Sequence, residues 1–218
     1  MSPHAHLEIG KIKVVSLDAE GTLVTPDFSY AIWFEAIPER YARKHNIEFE
    51  LAKKLIKEEY AKVGDHRLEW YDVRYWFDKF GLGTPDSVME SHQHKVRYYP
   101  EVKEVLSFLS CRYQLVVASG STRDFLKFLL RDINSYFSRV FSSLSDFNQV
   151  KTPTFYSEMC QALRVRPQEV IHVGDNRQFD FIAPSEIGIQ TLYLDRKGGP
   201  RADRSIADLT ELNALLAG

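Results

Sequence analysis

The stretch that decides the fold is Val14-Val15-Ser16-Leu17-Asp18-Ala19-Glu20-Gly21-Thr22-Leu23. Its apolar half is typical of a buried parallel strand, which ends at the crevice where open α/β sheets bind ligands. Asp18 is therefore predicted to lie at the carboxyl end of the sheet. Gly21 permits a sharp turn that returns Glu20 towards Asp18, and the Thr22 hydroxyl can hydrogen-bond within that loop. Asp and Gly are also ordinary turn residues, so this segment alone leaves a catalytic role open.

Composition limits the classes of protein to which the chain can belong. Its 218 residues suffice for one compact domain with an insertion or for two small domains. A net charge of −2, with no basic stripe between aromatic residues, argues against a nucleic-acid partner. No apolar run approaches the length of a membrane span, and residues 1–6 lack the core of a secretory signal. We expect a cytoplasmic protein with no membrane partner, in which Cys111 and Cys160 are buried, reduced thiols.

Short apolar runs alternate with helical stretches along much of the chain. The apolar runs are Ile12–Leu17, Leu115–Ala118, Val140–Phe141, Val170–Val173 and Thr191–Leu194. The helical stretches are Glu101–Leu109, Thr122–Leu130, Pro153–Leu163, Phe179–Ile187 and Ile206–Leu216. This alternation predicts an α/β fold with a doubly wound, parallel, Rossmann-like sheet and helices on both of its faces.

One interval interrupts the alternation. About ninety residues separate the first two strands, far more than a usual crossover, and they consist of amphipathic helical stretches. We predict an all-helical cap domain at residues 27–96, inserted into a Rossmann-like catalytic core at residues 1–26 and 97–218. A cap at this point would overhang Asp18 and act as a lid that excludes water. Arg40, Tyr71 and Arg74 are candidates for contact with a ligand.

Two further polar positions follow strands or precede helices. Ser119 and Gly120 lie in a turn that opens a helix, where a hydroxyl and free backbone N–H groups suit a phosphate. Capping of that helix by Ser121 or Thr122 is a compatible structural role. Lys151 lies just before the next helix, and a cation is unfavourable there without a stronger negative partner, such as a phosphate or several carboxylates.

The fourth element is the strand end Gly174-Asp175-Asn176, with Asp180 following. Neighbouring parallel strands would bring the Asp175 carboxylate close to that of Asp18, and like charges held close need a cation. Mg²⁺ suits carboxylate, carbonyl and phosphate oxygens. We place Asn176 and Asp180 behind these ligands, where Asp180 would orient Lys151 or a metal-bound water.

The histidines predict no zinc site. His172 lies within a strand and is expected to be packed or hydrogen-bonded in the core. The alternately spaced pairs, His4 with His6 and His92 with His94, are more typical of solvated surface residues.

In this order and spacing, the four elements resemble the motifs of the haloacid dehalogenase-like hydrolase superfamily. They are Asp18-Ala19-Glu20-Gly21-Thr22, Ser119, Lys151, and Gly174-Asp175 with Asp180. The resemblance covers the core from the first strand to the fifth, and the insertion corresponds to the helical cap of that superfamily. It implies a phosphatase that hydrolyses a small phosphorylated metabolite.

The resemblance also implies a role for each residue. Asp18 would attack phosphorus and form an aspartyl-phosphate, and Glu20 would serve as general acid and base where most of these phosphatases carry Asp. Mg²⁺ would be bound by Asp18, the Glu20 backbone carbonyl and Asp175. The residues expected to hold the phosphoryl group are Thr22, Ser119, Gly120 and Lys151.

Two alternatives remain open at this point. A 2-haloacid dehalogenase would use Asp18 against carbon without a metal, but that subfamily typically has Tyr in place of Glu20 and Ser in place of Asp175. A non-catalytic module that senses a phosphorylated ligand would not need the full set of nucleophile, acid, lysine and metal carboxylates. Enolase-phosphatases share the Asp-x-Glu-Gly-Thr loop but lack the Gly-Asp-Asn pattern. The sequence does not identify the substrate, nor does it distinguish a monomer from a homodimer.

Overall fold

A computed structural model describes residues 7–198 and 203–217. His4 and His6 therefore lie outside the described residues. Within the described ranges, none of the helices combines the length and apolar character that a membrane crossing requires.

One sheet of parallel strands forms the centre of the molecule and confirms the predicted α/β fold class. The strands are β1 Val14–Leu17, β2 Gln114–Ser119, β3 Arg139–Ser142, β4 Val170–Gly174, β5 Gln190–Leu194 and β6 Ser205–Ile206. Their order is β3-β2-β1-β4-β5-β6, and every neighbouring pair is parallel. β1 thus lies at the centre, hydrogen-bonded to β2 on one side and to β4 on the other.

Helices cover both faces of the sheet, because alternate residues of the buried strands point to opposite sides. Val15 and Leu17 belong to a core cluster that includes residues of the helices after β1, whereas Val14 packs in a second cluster with Phe155 and Met159. The helices that follow β1 are α1 Asp27–Tyr30, α2 Ile37–His45, α3 Phe49–Val63, α4 Val73–Phe80 and α5 Asp86–His92. The later helices are α6 Val102–Ser110, α7 Arg123–Leu129, α8 Ser143–Phe147, α9 Pro153–Leu163, α10 Ala183–Glu186 and α11 Leu209–Ala217.

Residues 27–95, which lie between β1 and β2, form the helical insert. A π-helical segment at Ala31–Ala36 joins α1 to α2 without a break. Trp76 and Phe77 are fully buried within the insert, and the rings of Phe28 and Phe125 lie 5.1 Å apart where α1 meets α7. Aromatic packing thus holds the insert against the core. The boundaries of a separate cap domain remain a prediction.

Two local features of the fold differ from the sequence-based expectation. The last helix begins at Leu209 and not at Ile206, because Ser205–Ile206 forms the short edge strand β6. A strand of two residues is too short to show the alternation of apolar and polar residues by which strands are recognised. Cys160 is buried as predicted, but the prediction for Cys111 was wrong, since it is exposed at the end of α6. Leu109 is buried in the core, but Cys111 follows the last residue of α6 and lies between the exposed residues Ser110 and Arg112.

Candidate active site

The candidate active site lies at the carboxyl edge of the sheet, where β1, β2 and β4 end side by side. Leu17 pairs with Val117 and with Val173, so the next residues of the three strands meet at one edge. The Asp18 backbone N–H donates to the Val173 carbonyl at 2.9 Å and continues the ladder into the loop. A cavity of about 620 Å³ opens there, lined by Asp18, Glu20, Ser119, Gly120, Lys151, Asp175, Asn176 and Asp180 among others.

Lys151 connects two acids at the base of this cavity. Its side chain is buried, and Nζ donates to Asp18 Oδ1 at 2.7 Å and also to Asp180 Oδ1. Burial opposes its charge, but the two carboxylates outweigh burial and raise the pKa of Lys151 well above its usual value. The position follows from the start of α9, where the Thr152 hydroxyl accepts from the Phe155 N–H at 3.3 Å and Pro153 is the first helical residue.

A buried polar network holds Asp180 from behind. His172 Nε2 lies 3.1 Å from Asp180 Oδ1, and Nδ1 lies 2.8 Å from Ser16 Oγ. The Tyr156 hydroxyl donates to the Phe179 carbonyl at 2.8 Å and lies 3.1 Å from His172 Nε2. One tautomer satisfies these contacts: Ser16 donates to Nδ1, and Nε2–H donates to Asp180.

This network explains the charge state of Asp180. Burial opposes ionisation, but Lys151 and His172 outweigh it and hold the pKa of Asp180 below its usual value. Burial lowers the pKa of His172, which is therefore a neutral, hydrogen-bonded core residue, as the sequence predicts. The sequence did not reveal Tyr156, because a tyrosine on the apolar face of a helix has the pattern of a core residue.

Glu20 lies beside Asp18 and is held by the helical insert. The Ser29 hydroxyl of α1 donates to Glu20 Oε2, and burial raises the pKa of Glu20 to about 7. A carboxyl group with such a pKa can both donate and accept a proton near neutral pH. Ser29 was not among the predicted residues, since its position relative to Glu20 depends on how the insert folds back.

Three carboxylates form a cluster that faces the cavity. One oxygen from each of Asp18, Asp175 and Asp180 lies within 4.8 Å of the others. Burial raises the pKa of Asp18 to about 8 despite Lys151, and it also raises the pKa of Asp175, with the neighbouring carboxylates adding to both effects. A hard divalent cation is the natural partner for such a set. Gly21, at φ 76°, allows the loop to approach, because a Cβ there would lie 2.2 Å from Asp175 Oδ2.

Comparison with known proteins agrees with this geometry. The family model of the haloacid dehalogenase-like hydrolases matches residues 12–188, which include all four motifs and the insert. The chain belongs to this family. The resemblance drawn from the motifs is thereby confirmed, and so is the assignment of the protein as a hydrolase enzyme.

The relatives of this haloacid dehalogenase-like hydrolase include proteins named as phosphatases. The chain is 25% identical over 230 residues to the glyceraldehyde 3-phosphate phosphatase of Pyrococcus furiosus, which covers 94% of this chain and 93% of that protein. It is 29% identical over 79 residues to the GMP/IMP nucleotidase YrfG of Escherichia coli, so that match spans only about a third of either chain, 36% and 35%. In fold it is similar to a phosphatase of the same superfamily from Thermococcus onnurineus, with a TM-score of 0.86 and 24% sequence identity. That match covers 95% of this chain and 99% of the Thermococcus chain.

Three of the residues considered for contact with a ligand do not line the cavity of this hydrolase. Thr22 is fully buried and does not line the cavity, and its carbonyl accepts from Arg196 Nη2 at 2.7 Å. Arg40 donates to the Leu82 carbonyl at 3.3 Å, and Arg74 pairs with Asp86 and Asp124, so neither lines the cavity. These arginines were candidates because a cap overhangs the site, but helical spacing alone does not fix which face turns towards it.

Other residues take positions that the sequence did not resolve. Tyr71 does line the cavity. The Asn176 side chain accepts from the Gln178 and Phe179 N–H groups at 3.0 Å and so shapes the loop that carries Asp180. Arg196, after β5, donates to the carbonyls of Gly21 and Thr22 and pairs with Glu101 at 2.7 Å, which clamps the loop after β1.

Proposed function

We propose that the protein is a Mg²⁺-dependent phosphatase that hydrolyses a small phosphorylated metabolite through an aspartyl-phosphate on Asp18. The observation that carries this proposal is the contact between Asp18 and Lys151 at the base of the cavity, beside the Asp18–Asp175–Asp180 cluster. A nucleophilic carboxylate, a buried cation and a metal-type donor set thus meet where a phosphate can enter.

The chemistry assigns a role to each side chain. An Asp18 oxygen forms a bond to phosphorus while the bond from phosphorus to the leaving oxygen breaks, and protonated Glu20 gives its proton to that oxygen. Glu20 then takes a proton from water, which attacks phosphorus and releases Asp18. Lys151 and the backbone N–H groups around Ser119 and Gly120 hold the phosphoryl oxygens.

The donor set fits Mg²⁺. Asp18 and Asp175 supply hard oxygens close together, and we assign the Glu20 backbone carbonyl as the third protein ligand. A bound cation supplies charge neutralisation between an anionic nucleophile and an anionic phosphate. Asp180 contributes less directly, because its oxygens already accept from Lys151, His172 and the Asn176 N–H.

Metal dependence tests the proposal. We expect phosphate release from p-nitrophenyl phosphate with Mg²⁺, a fall of about 10²-fold or more after excess chelator, and recovery when Mg²⁺ is restored. Phosphate release is measured against time in all three conditions. Metal-independent chloride release from 2-chloropropionate, without phosphate release, would instead identify a dehalogenase. The absence of both activities, with retained phosphate binding, would identify a non-catalytic module.

Replacement of Glu20 by Gln is expected to lower kcat by about 10²–10⁴-fold, because the side chain can no longer exchange a proton. Nitrophenol is a good leaving group even without protonation. Formation of the aspartyl-phosphate should therefore slow less than its hydrolysis. We therefore expect a burst of nitrophenol and an acid-stable phosphoenzyme, measured by rapid quench. Glu50→Gln, at an exposed residue of α3, is the matched control. A kcat within twofold of the native value would exclude Glu20 as the acid and base.

A further inference from the structure

The cavity above Asp18 has a charged floor and an uncharged roof. The floor consists of the acids and Lys151 at the strand ends. The roof comes from the helical insert, and its rings, here called the aromatic roof, are Tyr30, Trp33, Phe34, Tyr60, Trp70 and Tyr71. Residues 27–95 are all described, and none of those that line the cavity is Asp, Glu, Lys or Arg. The two halves therefore suit different parts of one molecule.

Five of the six rings of the aromatic roof contact one another. The Tyr60 ring lies 5.9 Å from both Trp33 and Phe34 and 6.3 Å from Trp70, and Tyr30 lies 5.4 Å from Phe34. Such edge and tilted contacts fix the rings in place. The roof is therefore a preformed surface with little conformational freedom to lose on binding.

The polar atoms of two roof tyrosines are already engaged. The Tyr60 hydroxyl donates to the Trp33 carbonyl at 3.0 Å, and the Tyr71 hydroxyl donates to the Asp65 carbonyl at 3.0 Å. Since those donors are used within the insert, neither hydroxyl is free to bind a ligand. A polyol would find few partners for its hydroxyl groups there, and a hydroxyl buried without a partner is unfavourable.

The roof begins directly at the phosphate turn. A Cβ on Gly120 would lie 3.3 Å from the Tyr71 ring, so the ring packs on the turn proposed to hold the phosphoryl group. The organic part of a phosphate ester bound at this turn would therefore contact the rings of the aromatic roof. Two cations that line the cavity do not change this, because Lys151 pairs with two acids and Arg196 with backbone carbonyls and Glu101. Lys53 and Lys57 lie over the Tyr30 and Phe34 rings, but neither lysine lines the cavity. Lys197 follows β5 and belongs to the floor.

From this division we propose that the substrate is a phosphate monoester whose alcohol carries an uncharged, planar ring. This inference rests on the proposed phosphatase function and names its substrate class. A cavity of about 620 Å³ accommodates a phosphate together with such a ring. Stacking on aromatic side chains should favour this class over polyol esters by roughly 10- to 100-fold in kcat/KM. Esters of hydroxy acids should be poorer still, because their carboxylate would lose water against the rings.

The test compares esters whose alcohols have similar acidity, so that leaving-group chemistry does not set the order. We would measure kcat/KM with Mg²⁺ for 2-phenylethyl phosphate, glycerol 1-phosphate and 3-phosphoglycerate, and expect the values to fall in that order. Tyr30→Ala and Trp33→Leu, which removes the ring but keeps an apolar side chain, should reduce the ratio of the first value to the second by roughly 3- to 10-fold. Tyr75→Ala is the matched control, because this half-buried tyrosine packs on Trp76 outside the cavity and should leave the ratio unchanged.

Tyr30 is 48% exposed, so its replacement should not prevent folding, and thermal melting confirms that each variant is folded. Equal kcat/KM for the three esters would overturn the inference and leave the phosphatase function standing. If no ester is hydrolysed, calorimetry compares the binding of 2-phenylethylphosphonate with that of 2,3-dihydroxypropylphosphonate. Tighter binding of the phenyl compound without any turnover would support the aromatic roof and contradict the proposed function. Equal binding without turnover would contradict both.

Discussion

Replacing Asp18 by Asn is expected to lower kcat for phosphate monoesters by about 10⁴-fold or more, because an amide oxygen is a poor nucleophile and cannot form the aspartyl-phosphate. The amide has almost the same shape, and Lys151 keeps its contact with Asp180. Burial raises the pKa of Asp18 despite Lys151, so the fold opposes the carboxylate charge that the amide removes. The variant should therefore melt at no lower temperature than the native protein.

The measurement combines steady-state phosphate release with acid-quenched detection of phosphoenzyme. The native protein should form the phosphoenzyme, and the variant should not. Asp78→Asn, at an exposed residue of α4, is the matched control and should behave like the native protein in both assays. Formation of a phosphoenzyme by the Asp18 variant would show that another group is the nucleophile.

The active-site edge could be predicted from the sequence because a parallel sheet brings the residues after its central strands together. Asp18, Ser119 and Asp175 each follow or end a short apolar run, and the structure places all three around one cavity. Lys151 was identifiable because a cation at a helix N-terminus requires a negative partner, and the structure supplies Asp18 and Asp180. These predictions depend on strand ends and helix starts, which local sequence marks clearly.

Contacts that depend on how one element turns over another could not be predicted in this way. The Ser29–Glu20 bond and the position of Tyr71 over Gly120 follow from the path of the helical insert, which amphipathic spacing does not fix. Arg40 was misplaced for the same reason. The local pattern at Thr22 suggested a polar contact, whereas tertiary packing buries the side chain completely.

Lys151→Met is expected to affect stability and activity together, because the ammonium group is the common partner of two buried acids. Methionine keeps the length of the side chain but leaves Asp18 and Asp180 facing each other without a cation. Loss of one partner of a buried ion pair typically costs about 3–5 kcal/mol in the free energy of unfolding. Activity should fall by about 10³-fold, since the group that holds the phosphoryl oxygens is also removed. Chemical denaturation and phosphate release measure the two effects, and Lys127→Met, at an exposed residue of α7, is the matched control.

A double variant separates the structural role of Lys151 from its role in the reaction. When Asp180→Asn is added to Lys151→Met, one of the two unpaired charges disappears, so part of the lost stability should return. Activity should stay low, because neither change restores a cation beside the phosphate. Recovery of both stability and activity would mean that Lys151 only offsets the charge of Asp180. Recovery of stability alone would mean that its ammonium group contacts the reacting phosphate, as the 2.7 Å distance to Asp18 implies.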